Sequence, residues 1–115
     1  MRFEQLSVSS LAIDGVRAIA TGPVVTVNAA AGIVTTEPLT TVANQNYDIT
    51  INNIFIRQQD LVLANVFKGT DTVGPLTISK VISANGSVLI GVKNNDGASP
   101  LNGTVNVCFV VIRLA

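Results

Sequence analysis

The chain has 115 residues, 48% of them hydrophobic and only 12% charged, with seven Lys and Arg balanced by seven Asp and Glu. That length makes one domain with a real core, and the scattered, balanced charge excludes the basic patch that nucleic-acid binding needs. With no His and a single Cys, the commonest general base, most transition-metal sites and any intrachain disulfide are excluded as well.

Val, Ile and Thr dominate the apolar content, which suits pleated, half-buried surfaces. So much apolar side chain with so little charge leaves an isolated monomer short of polar surface, and burial between subunits is the expected outlet. Aromatic residues are 4%, too few for a base-stacking platform. No run approaches the roughly 18 apolar residues of a membrane helix. Glu4 and Asp14 interrupt the N-terminus and no apolar stretch follows Arg2. No secretory leader is read there, and synthesis in a reducing cytosol is expected.

Residues 1–22 fit neither a period of two nor one of 3.6, and Ser7-Val-Ser-Ser10 and Asp14-Gly15 are turn-like. The stretch reads as an extended N-terminal arm with one or two short strands. Its aliphatics Leu6, Val8, Leu11, Ile13, Val16 and Ile19 are the candidate contacts to a neighbouring subunit; the alternative is an ordinary edge strand of its own domain.

Residues 23–115 read as a β-sandwich domain. Pro23 to Asn28 is a short strand, Ala29-Ala-Ala-Gly32 a turn, and Ile33 to Thr36 the expected partner strand. Glu37-Pro38 ends it, because the residue before proline is pushed from helical geometry. Leu39 to Val42 is read as pairing briefly before a polar turn. Tyr47 to Asn52 alternates, with Tyr47, Ile49 and Ile51 on one face and Asp48, Thr50 and Asn52 on the other. Asn53 to Arg57 extends that strand or turns a corner, and Gln58 to Asp60 is a loop. Leu61 to Phe67 is apolar on both faces and is expected to lie centrally or against a second layer. Lys68 to Pro75 reads as a longer exposed loop.

The last forty residues read as three strands in an antiparallel meander: Leu76–Ala84, Ser87–Lys93 and Thr104–Leu114. Asn85-Gly86 between the first two is the pair that a two-residue type I′ turn favours. In the last strand Val105, Val107, Phe109 and Val111 are expected to face inward, opposite Val88, Ile90 and Val92. Cys108, mid-strand, reads as a packed side chain. Short strands at roughly ten-residue spacing argue for a sandwich or small barrel.

Little in the chain carries chemistry. Glu4, Asp14, Glu37, Asp48, Asp60, Asp71 and Asp96 lie in separate segments, and no spacing brings two together for acid–base work. Asn94-Asn-Asp-Gly97 resembles the middle of a calcium loop, but the first-ligand position is Val92 and no Glu closes it, so a turn is expected. Asn85-Gly-Ser87 and Asn102-Gly-Thr104 match the glycosylation pattern and are read as turns. The residues therefore assign no catalytic, cofactor or metal site.

The runs Val24 to Asn28, Gly32 to Thr41, Tyr47 to Asn53, Lys93 to Asn95 and Leu101 to Val111 together resemble small virion structural proteins of tailed bacteriophages. The resemblance implies an all-β, antiparallel, jelly-roll-like sandwich of about seven or eight short strands. It implies a non-enzymatic capsid decoration (cement) subunit on the virion surface, made in the host cytoplasm. The expected partners are the major capsid protein and further copies of the chain, as a homotrimer or else a dimer, with no nucleic acid and no membrane. A fibre-tip module is the alternative, reading a receptor or glycan through the loops Gln58 to Asp60, Lys68 to Pro75 and Asn94 to Gly103.

Overall fold

The computed structural model describes residues 15–113. Eight strands follow in order: β1 (Val16–Ile19), β2 (Val24–Thr26), β3 (Ala31–Thr35), β4 (Asn46–Asn52), β5 (Leu61–Lys68), β6 (Leu76–Ala84), β7 (Ser87–Asn94) and β8 (Val105–Ile112). They form two four-stranded sheets: sheet I in the order β1-β3-β8-β5, and sheet II in the order β2-β4-β7-β6.

The inner faces are written by strand alternation. Val105, Val107 and Phe109 of β8 face Val88, Ile90 and Val92 of β7, all between 0 and 2% exposed, as the period-two pattern predicts. Ile49 and Ile51 of β4, Val34 of β3 and Val62 of β5 complete the layer, and Leu39, Ile56 and Leu101 close it from the loops. Val111 shares the inward side of β8 but lies half-buried near the strand's end.

The all-β sandwich is the expected architecture, but its sheets are mixed. β1 runs parallel to β3 and β2 parallel to β4, while the remaining pairs are antiparallel. Only β6 and β7 are joined within one sheet; every other connection crosses between layers. Two sequence expectations are corrected by that weave. Residues 76–112 form no three-stranded meander: β6 and β7 make a hairpin, and β8 crosses to sheet I between β3 and β5. The strand at Val24 does not pair with the one at Ile33, since β2 lies on β4 and β3 lies between β1 and β8. In both cases the intervening segment puts a side chain into the core, Val27 after β2 and Leu101 before β8, and carries the chain across to the other layer. Leu61 to Phe67 packs against the second layer through Val62, one of its two expected placements, and does so from the edge of sheet I.

The β6–β7 turn also differs from its predicted type. Gly86 takes a φ of 85° while Asn85 stays out of the left-handed region, the pattern that a type II turn requires. Neighbouring contacts account for it. Asn85 Oδ1 accepts from the Gln58 backbone N–H, and the Gly86 N–H donates to the Ile56 carbonyl, so the turn is moored to the β4–β5 loop.

Candidate functional site

The two outer faces of the sandwich differ in kind. On sheet I the outward side chains are Leu61, Leu63, Asn65 and Phe67 of β5, then Asn106, Cys108, Val110 and Ile112 of β8. Ile33 and Thr35 of β3 follow, with Arg17 and Ile19 of β1 at the far edge; Ala31, on the same side by register, is buried at 6% exposure. Register sets Leu61 beside Ile112, Leu63 beside Val110 and Ile33 beside Cys108. Leu61, Leu63, Phe67 and Ile19 are 43, 53, 44 and 78% exposed. Arg17 is the one charged strand residue on this face among the described residues. Isolated exposed aliphatics are ordinary, but a contiguous apolar sheet face marks an interaction surface.

Sheet II turns out Val24 and Thr26 of β2, Asp48, Thr50 and Asn52 of β4, Ser87, Leu89, Gly91 and Lys93 of β7, and Thr77, Lys80, Ile82 and Ala84 of β6, with Val24 and Ile82 57 and 56% exposed. Lys80 Nζ reaches Asp48 Oδ2 at 2.9 Å across the intervening strand β7. It does so over Gly91, the residue opposite both; a Cβ there would stand 2.8 Å from the Lys80 stem and 3.1 Å from the Asp48 carboxylate. The bridge, a bulge between Ile78 and Lys80 and a missing side chain thus belong to one arrangement.

At one end of the sandwich the β3–β4, β5–β6 and β7–β8 loops meet. Tyr47 opens β4 and donates its hydroxyl to Glu37 Oε2 at 2.7 Å, tying sheet II to the chain leaving sheet I. Burial raises the Tyr47 pKa well above the ordinary phenol value, and the hydrogen bond and negative charge of Glu37 raise it further. The pair sits in an open cleft of about 420 Å³ with Pro38, Thr40, Thr41 and Gln45. The fully buried Asn94 holds the end together, donating Nδ2 to the Thr41 and Ser99 carbonyls and accepting from the Asp96 N–H.

Asp96 Oδ1 in turn accepts from the Ser99 and Ala98 N–H groups, which holds its carboxyl below the ordinary range. The segment is the turn that the sequence suggested. Asp71, 3% exposed, accepts the Asn102 N–H through Oδ1, while its Oδ2 has no partner among the described residues. No three His, Cys, Asp or Glu side chains gather into a metal-holding group among the described residues.

At the opposite end Arg113 grips the buried Asp60 carboxylate through Nε and Nη2, both at 3.2 Å, and donates Nη2 to the Phe55 carbonyl. The Arg113 bonds first, and the Arg57 N–H next, hold the Asp60 pKa below its ordinary value. The C-terminal end of β8 is thereby fastened to the β4–β5 loop.

Of the candidate contacts read from sequence, Leu6, Val8, Leu11 and Ile13 lie outside the described residues. Val16 and Ile19 both belong to β1, yet they part company. Ile19 pairs with Thr35 and shares sheet I's outer face, whereas Val16 pairs with Gly32 on the inward side and is exposed at the sheet edge. Of the three candidate recognition loops, Lys68–Pro75 and Asn94–Gly103 are brought together: Thr72 and Asn102 exchange two hydrogen bonds, as do Thr70 and Thr104. Gln58–Asp60 lies at the other end with Asn85. Sequence reasoning missed the outer face of sheet I, although its signal was present in the two-sided apolarity of Leu61 to Phe67. It missed the Glu37–Tyr47 cleft entirely, since nothing local links the two. Comparison of the chain with protein-family models, with curated proteins and with solved structures finds no match.

Proposed function

We propose that the chain is a non-enzymatic structural subunit that works by being built into an assembly, and specifically that it decorates and stabilises the head of a tailed-phage virion. The observation that carries the reading is the contrast between the faces: sheet I presents Leu61, Leu63, Phe67, Val110 and Ile112 on two adjacent strands with one edge charge, while on sheet II the exposed aliphatics Val24 and Ile82 lie on opposite edge strands, with polar side chains and an ion pair between them. A sandwich with one bare apolar face gains from burying it, at roughly 25 cal/mol per Å² of apolar surface. A subunit that binds only the finished shell stabilises that shell by mass action. The short hydrogen-bonded connections suit a rigid module that bridges neighbours. The phage setting rests on the sequence resemblance, and the major capsid protein is the expected second partner.

Immunogold labelling of virions with antibody to the chain tests the proposal. Label over the head supports it. Label confined to the tail tip moves the chain to the fibre-module reading, and virions without label remove both.

A further inference from the structure

We infer that the cleft at Glu37 and Tyr47 takes up an extended segment of a partner protein, paired through its backbone to the free edge at Thr40 and carrying a Lys or Arg against Glu37. The inference goes beyond the assembly reading above and stands on the cleft alone.

The backbone supplies the first observation. The Leu39 N–H donates to the Gly103 carbonyl and the Leu101 N–H to the Thr41 carbonyl, both at 2.9 Å, with Leu39 and Gly103 bridged antiparallel. In such a ladder, residues that exchange bonds with the partner alternate with residues whose N–H and C=O both point the other way. Thr40 is the residue between, so its N–H and C=O lie on the far edge, where no described strand pairs with them. Pro38, two residues before it, has no N–H to offer a ladder, as suits an edge. Thr40 and Pro38 both line the cleft. A segment laid antiparallel along this edge exchanges both bonds with Thr40, which is recognition by strand addition.

The second observation is that the edge is held in place before any partner arrives. The Thr41 carbonyl also accepts from Asn94 Nδ2 at 3.1 Å, the Gln45 N–H donates to the Val42 carbonyl at 3.0 Å, and the Asn94 N–H donates to the Gln45 carbonyl at 3.0 Å. Both walls of the cleft are thereby tied to the buried Asn94. A preorganised loop spares binding the cost of ordering it.

Charge supplies the third. Glu37 is the one charged residue lining this cleft of about 420 Å³. The Tyr47 hydroxyl fixes its Oε2 at 2.7 Å and leaves Oε1 without a donor among the described residues. The ion pairs among the described residues, Lys80–Asp48 and Arg113–Asp60, do not involve it. Lys93 pairs with Asn46 in register, but it turns to the outer face of sheet II while Tyr47, next along β4, turns inward. An ammonium or guanidinium is the complement of such an oriented carboxylate. Glu37 precedes Thr40 by three residues, about 10 Å of extended chain. The basic side chain is therefore expected about three positions C-terminal to the residue that pairs with Thr40.

A display library of random heptapeptides, panned against the full chain, tests this. Binders are expected to carry a Lys or Arg at a fixed position. The strongest, made synthetically, should move the Thr40 amide signal in a nitrogen–proton correlation spectrum. Glu37→Gln, whose side chain can still accept from Tyr47, should weaken that peptide by about three- to fivefold, as for a partly exposed ion pair. N-methylation of the peptide residue three positions before the basic one should weaken it about tenfold through lost backbone bonds. A library that returns no binder, binders without a basic residue, or a Thr40 amide that stays in place overturns the inference. Equal affinity for Glu37→Gln and the native chain overturns it too, as does an N-methylated peptide that binds as well as its parent. Should Glu37→Gln lose the β spectrum by circular dichroism, exchanging the peptide's basic residue for Gln against the native chain applies the same test. Virion labelling is independent of all these outcomes, so a failed cleft and a failed assembly reading are told apart.

Discussion

Phe109 is 2% exposed, and its ring rests on the backbone of Gly32, where an added Cβ would lie 2.9 Å from both the ring and the Val16 carbonyl. The residue therefore joins the sheets and seats the β1 edge together. Truncation of a buried Phe costs about 3–5 kcal/mol, so Phe109→Ala should lower the melting temperature by roughly 10 °C or more. A shift of a degree or two would show that the site collapses around the gap. Two titrating groups make predictions of opposite sign. The Asp60 pKa is lowered, so the stability it contributes is present above the ordinary carboxylate value of 3.8 and is lost as pH falls through the folded-state value. Arg113→Ala should shrink that acid limb to what the Arg57 N–H bond alone sustains, seen as a flatter fall in unfolding free energy below the ordinary carboxylate range. The Tyr47 pKa is raised above its ordinary 10.0. Its contribution is complete below that pH and declines as pH rises towards the folded-state value. Tyr47→Phe should reduce stability by about 1.5–3 kcal/mol at neutral pH, as for a hydrogen bond to a charged group, and should also lose the alkaline decline. Equal alkaline slopes in both proteins would mean that the Glu37 bond is not formed in solution.

At the scale of the element, what could be read from sequence was whatever depends on a strand's own alternation. Tyr47 to Asn52 and Ser87 to Lys93 each wrote their buried face plainly, and Asn85-Gly86 marked the hairpin. What could not be read was which strand each one meets. The ten residues from Asn95 to Thr104 are as compatible with a return in the same sheet as with a crossing. The crossing follows from Asn94, Asp96 and Leu101 folding that loop over the sandwich end. Likewise Leu61 to Phe67 is apolar on both sides because one side meets the core and the other is the bare face. Sequence pattern alone cannot distinguish that from a strand buried in the centre. The Lys80–Asp48 bridge was invisible for a related reason, since it depends on three strands and a bulge. It leads to a prediction at this scale. Gly91→Ala must displace the Lys80 stem and the neighbouring Ser79, so it should cost about 1–3 kcal/mol by overpacking and also break the bridge. Urea unfolding measures the cost; a midpoint equal to the native one would show that β6 slides freely at its bulge.

For the whole molecule, the question is where the N-terminal stretch stops belonging to the fold. Predicted as an arm through Gly22, it contains β1, which lies parallel to β3, and Ala20, which is 3% exposed and donates its N–H to the Thr35 carbonyl. Two truncations therefore have different expected outcomes. Removing Met1–Asp14 takes away no described strand, so the β spectrum should be retained and the melting temperature should move by no more than a few degrees. Removing Met1–Gly22 strips the edge from β3, uncovers Val34 and the Phe109–Gly32 contact, and should lower the melting temperature by roughly 5–10 °C, the equivalent of about 1–2 kcal/mol. Attachment is read separately, by co-sedimentation with shells that lack the protein. Leu6, Val8, Leu11 and Ile13 are the aliphatics proposed to reach a neighbour, and ordering any segment on a partner must offset about 1–2 kcal/mol of backbone entropy per residue. The shorter truncation should accordingly fold as the full chain does and bind shells more weakly. Equal melting temperatures for the two truncations would place β1 outside the cooperative unit. Undiminished shell binding by the shorter one would place attachment on the sandwich itself, with the face of sheet I as the surface to mutate next.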